Sequence, residues 1–304
     1  MVKGQAEKMV DTLITVVLAT IMFSIGLSLR YFDFRNLLSS PRVLLLGLSL
    51  QLIALPALAF AVTGLADLPP SFSLGFLVLA ACPGGLSSNF ISFLLRANTA
   101  LAVSLTICNS TLSMLTVPFI VNLALDNFFP GTDTAELALL PTALRIFLIV
   151  LLPVVSGMLF RKYSAATAER LLPLLRRVSL VLLAGVFILK LFAPADQGGS
   201  VLTFAEIATI LPVALIINVL ALSLGRIFGD IAGYSRNDQL TLGVEVGIQN
   251  TSLAFLIATS FLDNEQALKP ALVYAMFTFF TALGYGLLLK PERWPHLWRE
   301  FTGR

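Results

Sequence analysis

GVEVGIQNTSLAFLIATSFL, residues 243–262, holds a carboxylate, Glu245, deep inside an apolar run. Of the 17 aspartates and glutamates in the chain, all the others sit in loops, tails or segment ends. A bare carboxylate among hydrocarbon is unfavourable unless a proton, a partner or a metal ion neutralises it. No Lys or Arg occupies the middle of an apolar segment to pair with it. The residue therefore points to a bound cation, and so to transport.

The surrounding composition defines the solvent. Mean hydropathy is +0.91, and only 12% of the residues are charged, about half the share usual in soluble proteins. This is the composition of a polytopic membrane protein. The first apolar stretch runs on too long, without a clear small-residue cleavage site, for a cleaved leader to be expected. A net charge of +3 could suggest nucleic acid, but the basic residues gather on short connections, so no nucleic-acid partner is expected. Cys82 and Cys108 both lie in apolar segments and imply neither a disulfide framework nor a thiolate metal site. The single histidine, His296, is in the C-terminal tail, which leaves no histidine triad or zinc site and no sign of an enzyme.

About nine segments have bilayer-crossing length, at roughly 10–30, 42–64, 71–95, 98–125, 138–160, 174–192, 206–228, 237–261 and 268–289. Charges on the connections alternate. The odd-numbered connections and the C-terminal tail carry Arg30, Arg35, Arg42, Arg96, Arg161, Lys162, Arg170, Arg176, Arg177, Arg226, Arg236, Lys290, Arg293, Arg299 and Arg304, with fewer acids (Asp33, Glu169, Asp230, Asp238, Glu292, Glu300). The opposite side holds Asp67, Asp126, Asp133, Glu136, Lys190, Asp196, Glu206, Asp263, Glu265 and Lys269. The positive-inside rule then places the C-terminus in the cytoplasm and the N-terminus outside.

Two of the nine are interrupted. The third, FLVLAACPGGLSSNFISFLL (76–95), contains Pro83, Gly84 and Gly85, and the eighth has Gly243 and Gly247 flanking Glu245. Pro removes a backbone donor and Gly weakens helix, so each reads as a broken helix, with a simple kink as the plainer alternative. An odd number of crossings separates the two, so they run in opposite directions. That is the pattern of an inverted repeat with binding where the breaks meet at the midplane. The fifth to ninth spans form a full second unit, and the first unit lacks its opening helix.

A break frees carbonyls at the end of one half-helix and N–H groups at the start of the next. The first suit a hard cation and the second an anion. Ser87, Ser88 and Asn89 follow the first break, and Gln249, Asn250, Thr251 and Ser252 follow Glu245. Gln51 is the strongly polar residue of the second span, and Thr106 lies on the fourth. Ser and Thr in membrane helices often bond their own backbone, and Gln51 could equally be interhelical glue. Asn109 reads as glue, Arg145 as an interfacial anchor, and Phe279 and Phe280 as packing.

The motifs ACPGGLSSNFISFLLRANTALAVSLT (81–106), GVEVGIQN (243–250) and IMFSIGLSL (21–29) resemble the bile acid:sodium symporter family over nearly the whole chain. The resemblance implies two crossed discontinuous helices in a core domain, about 42–125 and 206–289. A separate panel domain, about 10–30 and 138–192, would move against it in alternating access. IMFSIGLSL resembles the family's second helix, which implies the nine-helix form. The resemblance also implies two sodium ions. The first would use Ser88, Asn89, Thr106 and Glu245. The second would use Gln51, Glu245, Gln249 and the main-chain carbonyls of Val246 and Ile248. Two departures stand out. Ala102 occupies a position where the family has a serine ligand, with Ser104 facing elsewhere, and Leu86 follows PGG where relatives often have Thr.

The expectation is a sodium-coupled symporter that takes up an organic anion, a bile acid or a smaller carboxylate. The anion would bind around Gly85, Leu86, Ser87 and Asn250, in a bacterial inner membrane. No cofactor beyond sodium and no oligomer is required. Proton coupling or uncoupled transport on the same fold is the alternative, and Ala102 is its motive.

Overall fold

The chain breaks its helices where Pro83 and Gly247 fall. The computed structural model describes residues 2–28, 41–130, 139–194 and 199–295. It contains α1 (Val2–Ser28), α2 (Pro41–Leu65), α3 (Pro70–Ala81), α4 (Leu86–Leu94), α5 (Thr99–Phe128) and α6 (Leu140–Tyr163). These are followed by α7 (Ala165–Phe192), α8 (Phe204–Ile231), α9 (Arg236–Gly247), α10 (Thr251–Phe261) and α11 (Glu265–Leu289). Among the described residues, α2, α5, α6, α7, α8 and α11 are the six helices long and apolar enough to cross a membrane. Three shorter apolar helices, Thr12–Ser28, Pro70–Ala81 and Thr251–Phe261, fall on the expected first, third and eighth spans. Large apolar side chains face outward, Leu65 at 90% and Phe204 at 91% exposure, as a hydrocarbon solvent allows. The chain is an integral membrane protein.

Among the described residues, five helix starts, those of α5, α8, α9, α10 and α11, are capped by side chains. Asn98 caps α5 and Asn250 caps α10, each side-chain oxygen accepting from the backbone N–H three residues on at 3.0 Å. Thr203 and Glu206 form a reciprocal capping box at α8. Asn98 also ties α5 to α9, donating from Nδ2 to Asp238 Oδ1 at 2.7 Å and from its backbone N–H to Thr241 Oγ1 at 3.0 Å.

Three helices contain a wide π turn, at Leu50–Ala54, Phe147–Leu151 and Ile257–Phe261. In the first two the closing N–H belongs to Leu55 and Leu152, and a proline, Pro56 or Pro153, comes next. A proline ring lacks the donor for the carbonyl four residues back and collides with it, and widening the turn relieves the collision. Gln51 lies inside the first of these turns.

The packing falls into matching halves. α3 lies against α2, α5 and α11, and α9 lies in the corresponding way against α8, α11 and α5. Helix α4 packs on α5 and α9, helix α10 on α11 and α3, and α2 meets α8. Helices α1, α6 and α7 pack on one another. A side chain at Gly26 would reach within 2.1 Å of Val154 O, and one at Gly157 within 2.4 Å of Phe23 O, so α1 and α6 cross backbone to backbone.

Several expectations change. Arg170 and Arg177, expected on a connection, lie in the first turns of α7, which starts at Ala165 and continues through Pro173. Their charged heads can snorkel while the helix is already formed, so hydropathy alone placed its start too late. Phe280 is 70% exposed and does not pack inside, while Phe279 stacks on Phe90 with ring centroids 6.4 Å apart. Asn109 is fully buried, yet neither amide atom finds a partner among the described residues, so it is not interhelical glue. Arg145 lies over the Phe261 ring, 5.8 Å from its centroid. The basic charges expected at Arg30 and Arg35 with Asp33, the acids Asp133, Glu136 and Asp196, and the tail residues His296, Arg299, Glu300 and Arg304 lie outside the described residues.

Candidate cation site at the paired helix breaks

The two interruptions meet. Gly84 and Gln249 form an antiparallel bridge. Gly85 N donates to Ile248 O at 3.2 Å, and Asn250 N donates to Pro83 O at 2.9 Å. Backbone groups released from helical ladders must find partners when no water is near, and here the two breaks supply one another. The exchange brings residues of the two halves of the sequence into one buried cluster.

Glu245 stands at its centre, 1% exposed. Thr106 donates from Oγ1 to Glu245 Oε1 at 2.7 Å, and Ser88 Oγ lies 2.6 Å from Oε2. Ser88 Oγ is also 2.7 Å from Gly85 O. Asn89 donates from Nδ2 to Thr106 Oγ1 at 2.9 Å, which completes a relay from Asn89 through Thr106 to the carboxylate. Since the Thr106 proton goes to Glu245, its oxygen can only accept from Asn89, and the Asn89 amide orientation follows. Asn89 Oδ1 is then buried without a hydrogen-bond donor.

A second group adjoins it. Gln51 donates from Nε2 to Cys82 O at 2.9 Å and to Gln249 Oε1 at 2.8 Å, so its nitrogen faces two oxygens and the amide cannot be reversed. Gln51 Oε1 is left buried with no donor. Gln249 Nε2 donates to Val246 O at 2.7 Å. Three consecutive carbonyls at the second break thus have three different partners: Val246 O takes Gln249, Ile248 O takes Gly85, and Gly247 O takes side chains from α8 and α11. Those side chains are Tyr274 Oη at 2.7 Å, Asn218 Nδ2 at 2.8 Å and Thr278 Oγ1 at 3.2 Å.

Ser88, Asn89, Thr106 and Glu245 are therefore in one hydrogen-bonded group and Gln51, Gln249 and Val246 in the other, while Ile248 O is tied to Gly85 N at the bridge. Among the residues expected to meet an anion, Gly85 and Asn250 are buried at the bridge, while Ser87 is exposed at the start of α4. Of Leu86, only its backbone position as the first residue of α4 is described. Ala102 is fully buried and brings no oxygen, and Ser104 spends its hydroxyl on Ala100 O at 2.8 Å. Asn218, Tyr274 and Thr278 were missed by the sequence reading. A lone asparagine in the middle of an apolar span, as at 218, is the signal that could have found them.

The donor set is oxygen throughout. A carboxylate, two hydroxyls and two unmatched amide oxygens suit a hard cation held without water. Among the described residues no Lys, Arg or His pairs with Glu245.

The chain is 30% identical over 263 residues to the "Probable sodium/metabolite cotransporter BASS2, chloroplastic" of Oryza sativa subsp. japonica, covering 86% of this chain and 60% of the relative. It is 27% identical over 252 residues to the "Probable sodium/metabolite cotransporter BASS1, chloroplastic" of Arabidopsis thaliana, covering 83% and 60%. It is 28% identical over 269 residues to the "Uncharacterized sodium-dependent transporter YocS" of Bacillus subtilis, covering 86% and 78%. The chain spans about three-fifths of the length of the two plant relatives. The model of the Sodium Bile acid symporter family matches residues 15–198, well over half of the 304 residues and including the first interrupted helix with Ser88 and Asn89. On that match, the chain belongs to the sodium bile acid symporter family.

Proposed function

We propose that the chain is a sodium-coupled symporter, not an enzyme, that moves an organic anion inward by alternating access. The observation that carries the reading is the pair of buried, unmatched amide oxygens, Asn89 Oδ1 and Gln51 Oε1, one in each of the two groups around Glu245. A buried acceptor without a donor is unfavourable by about 1–3 kcal/mol. Gln51 spends both donors of its amide nitrogen and Asn89 spends one on Thr106, which fixes the direction of each amide, and a cation satisfies such an oxygen where no donor does. On this reading Ser88, Asn89, Thr106 and Glu245 hold one sodium ion, and Gln51, Glu245, Gln249 and the carbonyls of Val246 and Ile248 hold a second. Ala102 makes the first site the weaker of the two, because the oxygen expected there is missing.

The matching contacts of α2–α5 and α8–α11 support an inverted repeat with nine spans. The interrupted pairs α3–α4 and α9–α10 would cross at their breaks. These helices form the proposed core. The mutually packed α1, α6 and α7 form the proposed panel. The anion's charged group would meet the starts of α4 and α10, around Gly85, Leu86, Ser87 and Asn250, with its apolar body between core and panel. The N-terminus would lie outside and the C-terminus in the cytoplasm of a bacterial inner membrane, following the basic connections. The substrate class is a bile acid or a smaller carboxylate, and no second subunit is required.

Uptake into proteoliposomes tests this. A panel of labelled organic anions, from taurocholate to small keto acids, is offered under an inward sodium gradient, an equal potassium gradient and a proton gradient. Accumulation driven by sodium alone is the expected result. Accumulation that follows the proton gradient in sodium-free buffer would replace the coupling ion and keep the fold. Uptake indifferent to every gradient would make the protein a passive carrier.

A further inference from the structure

Gly247 is held on two sides for different reasons. A β-carbon there would come within 2.5 Å of Leu222 Cδ2 and 2.6 Å of its Cγ, so any larger residue must displace the Leu222 side chain where α8 packs on α9. Glycine is also the residue least able to hold its own backbone dihedrals. The carbonyl of this residue is met by three donors from helices outside the break, Tyr274, Asn218 and Thr278. The three are buried and ordered among themselves. Asn218 Nδ2 is 2.9 Å from the Tyr274 oxygen, and Thr281 Oγ1 donates to Asn218 Oδ1 at 2.6 Å. One carbonyl has two lone pairs, so three converging donors exceed what capping a helix end requires.

Fixing one carbonyl fixes a whole peptide plane. The plane beyond Gly247 carries the Ile248 N–H, and the Gly247 Cα joins it to the plane carrying Val246 O. We propose that Asn218, Tyr274 and Thr278 are positioning residues of the second cation site. They clamp the glycine between Val246 and Ile248 and so set the directions of the two carbonyls that face the ion. The proposal rests on the sodium reading given above. Close packing on Leu222 favours glycine at 247, and glycine, free in its own dihedrals, is held by the external clamp.

The test is binding of labelled sodium to purified protein at a temperature well below melting, with the melting temperature read separately in potassium buffer. Tyr274→Phe and Thr278→Val each remove one donor, and Thr278→Ser keeps the hydroxyl. Thr63→Val is the comparison, because Thr63 spends a buried hydroxyl on Ala59 O of its own helix, at 2.8 Å. Tyr274→Phe is expected to raise the sodium midpoint about tenfold, and Thr278→Val about threefold, in line with the loss of one hydrogen bond each. Thr278→Ser and Thr63→Val should keep the wild-type midpoint. Tyr274→Phe and Thr278→Val that lower the melting temperature like Thr63→Val but leave the midpoint unchanged would overturn the proposal, and Thr278→Val decides alone if Tyr274→Phe does not fold. Failure of the underlying reading looks different: wild type itself would bind no sodium, or Glu245→Ala would bind it as well as wild type, and the clamp proposal would fall with it.

Discussion

Gly84 and Glu245 touch across the two breaks: a β-carbon on Gly84 would sit 2.4 Å from Glu245 Oε1 and 2.7 Å from the carboxyl carbon. The first break thus needs glycine at 84 for a reason beyond its backbone, because the space of that side chain is taken by the acid of the other half. Gly84→Ala should therefore displace the carboxylate, raise the sodium midpoint by at least about tenfold (about 1.4 kcal/mol) and leave the helices folded. Gly85→Ala should do less, since its β-carbon would meet Gln249 O at 3.1 Å. Sodium titrations of the two variants, with circular dichroism as the fold check, decide the order.

Gln51 makes two hydrogen bonds and leaves one oxygen unmatched. Gln51→Ala removes all three functions and should weaken sodium binding by about tenfold to a hundredfold. In the same assay Asn109→Ala should leave sodium binding unchanged. It removes two unmatched buried polar atoms, so the melting temperature should hold or rise.

The wide turn around Gln51 is itself testable. Pro56→Ala restores a donor for Leu52 O and allows an ordinary helical turn. One residue fewer in the turn swings the preceding side chains by about 100°. Gln51 would then leave Gln249 and Cys82, and the sodium midpoint should rise about tenfold although no ligand atom has been removed. An unchanged midpoint would show that the turn owes nothing to Pro56.

Two buried lysines are paired at one end of the bundle. Lys190 Nζ of α7 lies 3.0 Å from Glu265 Oε1 of α11, with the lysine side chain 1% and the glutamate side chain 46% exposed. Lys269 pairs with Glu206 at 2.5 Å. Glu265→Gln strands a buried ammonium and should destabilise by about 2–3 kcal/mol, discounted for the half-exposed carboxylate. Lys190→Met in the same background should recover most of the loss. A double-mutant cycle on unfolding measures the coupling.

The breaks were legible because Pro83-Gly84-Gly85 and Gly243/Gly247 are chemically explicit. Glu245 was legible because a lone acid in an apolar run is rarely tolerated without a cation or a proton to neutralise it. Gln51, Asn89, Thr106 and Gln249 were legible only through the motifs that surround them, as each alone reads equally well as a structural residue. The Gly247 clamp was not, since Asn218, Tyr274 and Thr278 come together only when α8 and α11 pack on the second break. Hydropathy also blurred the start of α7, where arginines snorkel from a helix that has already begun. The wide turns could have been suspected from Pro56 and Pro153, but a proline inside an apolar run equally allows a plain kink.

Sodium binding by the group around Glu245 underlies the coupling proposed for this chain. The most direct measurement is the melting temperature of purified protein titrated with sodium at constant ionic strength in potassium, beside Glu245→Ala. A ligand bound only by the native state raises its apparent stability by mass action, about 2.7 kcal/mol at a hundredfold excess over Kd. A saturable, sodium-specific rise is predicted in wild type and none in Glu245→Ala. Equal rises in both proteins, or none in wild type at any sodium concentration, would contradict sodium binding at this site.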